Sequence, residues 1–238
     1  MSHPIPEGRG FRGEVSMTDT LIFGTAYIAT QEQRYVLTLW RDLVTKLNPA
    51  TDILVVDSAS PALPDVGSIK VLQLGDNIGH LGTTGRDGWG RAFCAGLQHA
   101  ISAGYRYAAH IETDLLFARP VSEIIAKMEN ANVRIAAPMA YPHQFIETAL
   151  MFMDVRYIAE TGFTEAYDWE RMTPGIYPEN KVLQITEPAL FALPLRGLRN
   201  DFGQLSPKTM ARMFPLGIDW LTHADPATLR AFMEVNGW

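Results

Sequence analysis

Three features are scarce in this 238-residue chain, and each absence excludes a class of protein. Cys94 is the single cysteine, which excludes a scaffold held by internal disulfides and fits a reducing compartment. Lysine and arginine number 20 against 26 aspartates and glutamates, whereas nucleic-acid-binding domains usually carry a basic excess. Apolar runs are short and broken by proline, so no membrane span is expected. We therefore expect a cytoplasmic protein that binds no nucleic acid.

Strand-like and helix-like segments alternate through the first two-thirds of the chain. The helical patterns repeat apolar residues at spacings of three and four, and the strand patterns are short apolar runs. This alternation predicts an α/β fold, with a mostly parallel twisted sheet and helices on both faces. The predicted helices are Gln31–Leu47, Arg91–Ala103 and Val121–Asn130, and the predicted strands are Leu21–Tyr27, Ile53–Val56, Ile69–Leu74, Tyr107–Ile111 and Val133–Ala137.

The last third of the chain has an irregular pattern. Residues 1–18 are rich in glycine, proline and charge, which predicts a flexible arm rather than a secretory signal. Residues 19–238 are then one domain, with a Rossmann-like half at 19–138 and an irregular half at 139–238. Within the irregular half the predicted strands are Thr148–Met153 and Val182–Ile185, and the predicted helices are Pro207–Met213 and Pro226–Val235.

Polar side chains stand at the carboxyl ends of three predicted strands. Open α/β sheets bind their ligands beyond these ends, so one ligand is expected to meet all three. The tyrosine at the first end can stack on a base, and the aspartate and serine at the second suit a base edge or ribose hydroxyls. The candidate nucleotide contacts are Thr25, Ala26, Tyr27, Asp57, Ser58, Glu112, Thr113 and Asp114.

The third of these ends carries two carboxylates, Glu112 and Asp114, separated by one residue. Alternation in an extended segment predicts that both point to the same side. Mg²⁺ and Mn²⁺ prefer such hard oxygen ligands and are usually completed by substrate phosphates and water. Alternatively, the two carboxylates are solvated or pair with Arg106 and Arg119. The spacing alone leaves metal binding and simple ion pairing open.

Six glycines lie between Gly75 and Gly90, just before the predicted helix at Arg91. Glycine permits close approach of the backbone to phosphate, and the N-terminus of a helix attracts anions. Arg86 and Arg91 would supply bidentate donors to a phosphate. The segment lacks the Gly-Lys-Ser/Thr ending of a Walker loop and the spacing of a dinucleotide fingerprint. Phosphate contact and a plain surface loop therefore both stay open.

Taken in order, these segments resemble the glycosyltransferases of the GT-A fold. The resemblance covers roughly Leu21 to Phe163. It rests on the strand ending in Asp57, on the strand running into an Asp-x-Asp-like pair at Glu112 and Asp114, and on Ala149–Phe163. It implies a metal-dependent transferase that moves a sugar from a UDP-sugar to an unknown carbohydrate or other hydroxyl acceptor. The two halves would then be a nucleotide-sugar-binding half and an acceptor-side half.

The resemblance also implies roles for single residues. Asp57 would hold the uracil or the ribose, and Arg91 would face the diphosphate. Asp114 would bind Mn²⁺ or Mg²⁺ directly, and Glu112 would reach the metal or the ribose. The glutamate is one methylene longer than the aspartate it replaces, which makes direct coordination by Glu112 the weaker expectation. His223 is a candidate third metal ligand.

A catalytic carboxylate is the least defined part of the expected site. An inverting transferase needs a base that takes the proton of the acceptor hydroxyl. Asp168 and Glu170 are candidates because they alternate with aromatic residues that raise a carboxylate pKa and stack on sugars. Glu147 is a further candidate, suited to retaining chemistry.

Two other functions remain open from the sequence. A non-catalytic UDP-binding scaffold would keep the fold and lose turnover, in line with the altered metal motif. A sugar nucleotidyltransferase would share the metal and the nucleotide. Its usual glycine-rich signature with arginine, directly after the first strand, is missing at Gly24–Tyr27.

Overall fold

The computed structural model describes residues 19–79, 85–140, 145–171, 176–186, 189–200, 203 and 205–238. The expected arm at 1–18 and residues 80–84 of the glycine-rich segment lie outside the described residues.

The described residues form two β-sheets. The main sheet has eight strands in the order β3-β2-β1-β4-β8-β6-β7, with β9 beside β6, and the second sheet has the order β10-β11-β5. The strands β1 to β4 are parallel, and β8 runs antiparallel to both β4 and β6. The strands are β1 Thr20–Ala26, β2 Asp52–Asp57, β3 Lys70–Gln73, β4 Tyr107–Ile111, β5 Leu115–Phe117, β6 Ile135–Ala140, β7 Phe145–Ile146, β8 Leu150–Asp154, β9 Leu190–Leu193, β10 Gly197–Arg199 and β11 Trp220–Thr222.

Helices cover both faces of the main sheet, which confirms the predicted α/β architecture. Side chains of α1, α3 and α8 build the apolar core on one face, and those of α2, α4, α5 and α6 build the core on the other. No helix in the described ranges combines the length and apolar character needed to cross a bilayer. The helices are α1 Gln31–Leu47, α2 Gly88–Ala103, α3 Val121–Ala131, α4 Val155–Glu160, α5 Phe163–Ala166, α6 Pro178–Thr186, α7 Pro207–Met213 and α8 Pro226–Val235, with a 3₁₀ turn at Phe214–Leu216.

One predicted strand is wrong. Val182–Ile185 lies within α6, where Val182 is buried against the core and its carbonyl accepts a hydrogen bond from the Thr186 hydroxyl. Four mostly apolar residues fit one turn of a helix as well as a short strand, so periodicity did not distinguish the two.

The second sheet connects distant parts of the chain to the end of β4. In its register Arg199 lies opposite Thr222, and Thr222 lies opposite Leu115. Asp114 directly precedes β5 and His223 directly follows β11, so this pairing brings both beside Arg199. Residues far apart in the sequence therefore meet at the carboxyl end of the main sheet.

Candidate active site

A cavity of about 1050 Å³ opens at the carboxyl ends of β1, β2 and β4. The ends of these three strands meet at this one opening, as the position of ligand sites in open α/β sheets predicts. Residues from the starts of α1, α2 and α6, from β10 and from the loop after β11 also line it. The predicted site residues that line it are Thr25, Ala26, Tyr27, Ser58, Glu112, Thr113, Asp114 and His223.

The floor of the cavity depends on a close approach at Gly24 in β1. A Cβ at this position would lie 2.8 Å from the Ile111 carbonyl oxygen and 2.8 Å from a ring carbon of Trp40. The Trp40 indole N–H donates to the same Ile111 oxygen at 3.1 Å. The Thr113 hydroxyl donates to the Thr25 carbonyl at 2.7 Å, which holds the segment after β4 against β1. A side chain at Gly24 would push these two strand ends apart.

Glu112 and Asp114 lie in a turn between β4 and β5, and the expected extended geometry is wrong. The Leu115 amide donates to the Glu112 carbonyl at 2.8 Å, which closes the turn. The chain turns here because β5 leaves the main sheet to pair with β11. Both carboxylates nevertheless line the cavity.

His223 stands beside Asp114 at this turn. The Nε2 atom of His223 lies 3.9 Å from Oδ2 of Asp114. The Thr222 hydroxyl lies 3.3 Å from the Asp114 carbonyl oxygen and 3.4 Å from its Oδ1. His223 has a positive φ of 56°, a conformation that is costly for a residue with a side chain and that often marks functional sites.

Several carboxylates lie close together around Glu112 and Asp114. Burial, and then the nearby carboxylates of Asp114 and Glu147, hold the pKa of Glu112 well above its usual range. The arginines that offered an alternative pairing are engaged elsewhere, since Arg106 pairs with Glu129 at 2.6 Å and Arg119 pairs with Asp219 at 2.5 Å. The two arginines therefore do not neutralise the acidic pair.

Glu147 is fully buried close to these carboxylates. Its Oε1 accepts hydrogen bonds from Nη1 of Arg199 at 2.8 Å and from the Ala149 amide at 3.0 Å. Its Oε2 has no hydrogen-bond partner among the described residues. Burial raises the pKa of Glu147, and the Arg199 guanidinium opposes that rise.

The other predicted catalytic residues do not line the cavity. Asp168 and Glu170 are exposed and are not among the described residues that line it. The backbone carbonyl of Asp168 accepts a hydrogen bond from the Lys181 ammonium. Nothing in this geometry brings either carboxylate next to the turn after β4.

Three predicted nucleotide contacts are also not among the described residues that line the cavity. Asp57 is fully buried, and both its oxygens accept hydrogen bonds from Ser60, one from the hydroxyl and one from the amide. Arg91 pairs with Asp76 at 2.6 Å, and its guanidinium lies 5.4 Å from the centre of the Trp169 ring. Arg86 is exposed and likewise is not among the described residues that line the cavity.

The glycine-rich segment packs closely around the start of α2. A Cβ at Gly88 would lie 2.7 Å from the Gly79 carbonyl oxygen, and a Cβ at Gly90 would lie 2.1 Å from the Tyr167 ring. Close packing therefore explains why these two positions are glycine, whether or not a phosphate binds there.

Several lining residues were not anticipated, among them Trp89, Tyr177, Glu179 and Arg199. Trp89, Glu179 and Arg199 come from α2, α6 and β10, and Tyr177 directly precedes α6. Trp89 is the second residue of α2, two positions after the capping residue Asp87. The place of Arg199 depends on pairing between β10 and β11, for which the local sequence carries no signal.

Comparisons with known proteins show which solved structures share this fold. No family model and no curated protein matches the sequence. Among solved structures, the bifunctional glycosyltransferase WbbM superposes with a TM-score of 0.57 at 10% identity, over 93% of this chain and 50% of WbbM. This chain thus spans about half the length of WbbM.

Two further structures match over most of both chains. The galactosyltransferase LgtC, solved with donor and acceptor sugar analogs, gives a TM-score of 0.52 at 12% identity over 92% of this chain and 95% of its own. A glycosyltransferase that acts in glycosylation of the PBCV-1 major capsid gives 0.53 at 9% identity, over 92% and 99%. At such identities the likeness shows the fold alone, which is a GT-A-like fold.

Proposed function

We propose that this chain is a metal-dependent glycosyltransferase that transfers a sugar from a UDP-sugar to a hydroxyl acceptor. The observation that carries the proposal is that Glu112, Asp114 and His223 line one cavity, with Asp114 and His223 3.9 Å apart. The ends of β1 and β2 open into the same cavity and offer Tyr27 and Ser58 to a nucleotide. The GT-A-like fold, shared with structures that are named as glycosyltransferases, supports this function.

The donor set suits Mn²⁺ or Mg²⁺. Adjacent ligands of an octahedral ion bound at about 2.1 Å lie about 3 Å apart, so the side chains of Asp114 and His223, 3.9 Å apart, would move slightly closer to share one ion. In the described ranges, no three His, Cys, Asp or Glu side chains are gathered tightly enough to complete a metal site. Asp114, His223 and the longer Glu112 would therefore hold the ion only partly, and diphosphate and water would supply the remaining ligands.

The reaction would be a displacement at the anomeric carbon of the donor. The acceptor oxygen forms a bond to that carbon, the bond to the diphosphate breaks, and UDP leaves with the electron pair. The hydroxyl proton ends on the released phosphate or in solvent. A bound divalent ion would neutralise charge on the leaving phosphate oxygens. The carboxylate of Glu147, held by Arg199, would stabilise positive charge that develops on the sugar ring.

None of the three carboxylates considered for catalysis lines the cavity directly, and we favour Glu147 because its charge acts on Glu112 and on His223. It is adjacent in sequence to Thr148, which lines the cavity, and its partner Arg199 lines the cavity as well. Tyr27, with 41% of its surface exposed, is free to lie against a base at the other end of the cavity.

Calorimetric titration of UDP in the presence of Mn²⁺ tests the proposal. We expect binding that weakens at least about tenfold, or about 1.4 kcal/mol, when the ion is removed with a chelator, because the crowded carboxylates repel the diphosphate. Asp114→Asn should lose most of the metal-dependent gain. Asp42→Asn, which changes an exposed aspartate paired with Arg41, should bind as the wild type does. Equal affinity with and without chelator would refute the proposal.

Turnover separates the transferase from a non-catalytic scaffold. A panel of nucleotide sugars incubated with Mn²⁺ and protein should show slow release of UDP by transfer to water. Tight UDP binding without release from any donor would favour the scaffold instead.

A further inference from the structure

Tyr177 stands at the rim of the cavity, ahead of α6. Its backbone is held on both sides, since its amide donates to Oδ1 of Asn180 at 3.2 Å and its carbonyl accepts from the Lys181 amide at 3.1 Å. Its side chain is 64% exposed and lines the cavity. A flat, exposed aromatic ring at a cavity mouth suits a ligand with an apolar face.

Hydrogen-bonding groups lie next to this ring. Glu179 is two residues further along, and its Oε1 lies 3.5 Å from Nη1 of Arg199. The same Nη1 is 2.8 Å from Oε1 of Glu147, so one guanidinium spans two carboxylates. A guanidinium offers several fixed donors, and a carboxylate offers several acceptor positions. Such a pair matches hydroxyl groups, each of which donates one hydrogen bond and accepts others.

This region lies beside the proposed reaction centre. Arg199 is the last residue of β10 and lies opposite Thr222 in β11, directly before His223. Glu179 approaches the same guanidinium from α6, and Tyr177 directly precedes that helix. A ligand on the Tyr177 ring would therefore have one end near the metal-binding residues.

The charge of the cavity restricts the kind of ligand. The carboxylates among its described lining residues outnumber the cationic groups, which are Arg199 and, when protonated, His223. A divalent ion would offset the charge of a donor diphosphate, and little positive charge would be left for a second anion. An uncharged ligand is therefore favoured over a phosphorylated or uronic one. The lining carboxylates are Glu32, Asp87, Glu112, Asp114 and Glu179.

We propose that Tyr177, Glu179 and Arg199 form an acceptor subsite for a neutral sugar. The sugar ring stacks on Tyr177, and its hydroxyls bind Glu179 and Arg199. This inference rests on the proposed function, because it names the acceptor class for the same cavity.

Saturation-transfer NMR on the protein with UDP and Mg²⁺ tests the subsite. The probes are methyl glucoside and methyl galactoside, compared with glucuronate and glucose 6-phosphate. We expect saturation of at least one neutral glycoside and several-fold weaker signals from both charged sugars. Tyr177→Phe should keep the signal because it keeps the ring, and Tyr177→Ala should lose most of it. Glu179→Gln should weaken it several-fold.

A matched control is Tyr35→Ala, which removes another exposed tyrosine, one whose hydroxyl accepts from Arg230 and which is not among the described residues that line the cavity. This variant should bind glycosides like the wild type. An unchanged signal in Tyr177→Ala, or equal binding of charged and neutral sugars, would overturn the subsite.

Calorimetry with UDP and Mg²⁺ on the same proteins separates the two proposals. Tyr177→Ala should bind UDP as the wild type does, which also shows that it is folded. If UDP binds and neither glycoside does, the acceptor subsite fails and the transferase proposal stands. If the wild type does not bind UDP with metal, both fail.

Discussion

The carboxylate of Asp57 is buried beneath the loop after β2, where both of its oxygens accept hydrogen bonds from Ser60. The Ser60 hydroxyl oxygen in turn accepts from the amide of Ile28 at 2.7 Å. Ile28 adjoins Tyr27, so this chain of hydrogen bonds fixes the backbone that carries a cavity-lining ring. Asp57 is thus connected to the expected base pocket through Ser60.

Replacing Asp57 with alanine should weaken UDP binding by roughly 1–3 kcal/mol, because Ser60 loses its partner and releases the loop. Ser60→Ala should weaken binding by a similar amount while leaving Asp57 in place. Calorimetric dissociation constants for the two variants check this, with urea denaturation to show that both are folded. If Ser60→Ala binds normally and Asp57→Ala does not, Asp57 contacts the nucleotide directly.

Among the helices, the start of α2 shows how one element supports the cavity. Asp87 caps it by accepting from the Gly90 amide at 2.9 Å, and the Tyr167 hydroxyl donates to its other oxygen at 2.6 Å. The Asp87 amide donates to the Trp169 carbonyl at 2.9 Å. The segment after α5 and the start of α2 are therefore held together, and Trp89 is held with them.

Tyr167→Phe should lower the free energy of unfolding by about 1–3 kcal/mol, because it leaves a buried carboxylate oxygen of Asp87 without its donor. Tyr105→Phe provides the matched control, since it removes an exposed tyrosine hydroxyl that donates to Asp52 at 2.7 Å. That change should cost about 0.5 kcal/mol or less. Urea denaturation measures both, and equal losses would contradict this account of the α2 cap.

The elements that could be predicted from sequence are those with strong local signals. The bounds of α1 match the prediction because Thr30 and Gln33 form a capping box, each side chain accepting from the other residue's backbone amide. The bounds of α7 and α8 match because Ser206 and Asp225 cap helices that begin with proline. The helix α6 also begins with a proline, Pro178, but the apolar residues at Val182–Ile185 predicted a strand, and there the prediction failed.

The residues of the candidate site likewise include some that a local sequence pattern predicts and some that it does not. Glu112 and Asp114 were found because a buried strand runs directly into them. Arg199 and Glu179 were missed, because their approach to the site depends on strand pairing and helix packing between distant segments. His223 was found only through the resemblance to GT-A glycosyltransferases, since a lone histidine gives no local signal.

At the scale of the whole molecule, His110 couples stability to pH. Its ring is fully buried on β4, with its centre 5.0 Å from those of Phe23 and Phe93. Its Nδ1 lies 2.9 Å from the Thr148 carbonyl oxygen, so the neutral ring donates there. Burial lowers the pKa of His110 from about 6.5 to about 4. The folded protein therefore resists protonation at a position next to the cavity wall.

Between pH 6.5 and pH 4 the unfolded chain binds a proton at this imidazole and the folded chain does not. The His110 contribution should thus reduce the free energy of unfolding as pH falls, by on the order of 3 kcal/mol across this window. The raised pKa values of Glu112 and Glu147 have the opposite effect. The folded state keeps those protons to higher pH, so these two groups increase the free energy of unfolding as pH falls.

His110→Asn isolates the histidine, because an amide N–H can still donate to Thr148 and does not titrate in this range. Urea denaturation at several pH values should show that the wild type loses stability relative to the variant as pH falls from 6.5 to 4. Because Glu112 and Glu147 are present in both proteins, their contribution largely cancels in the difference. Parallel stability curves would show that His110 is protonated as easily in the folded state as in the unfolded one.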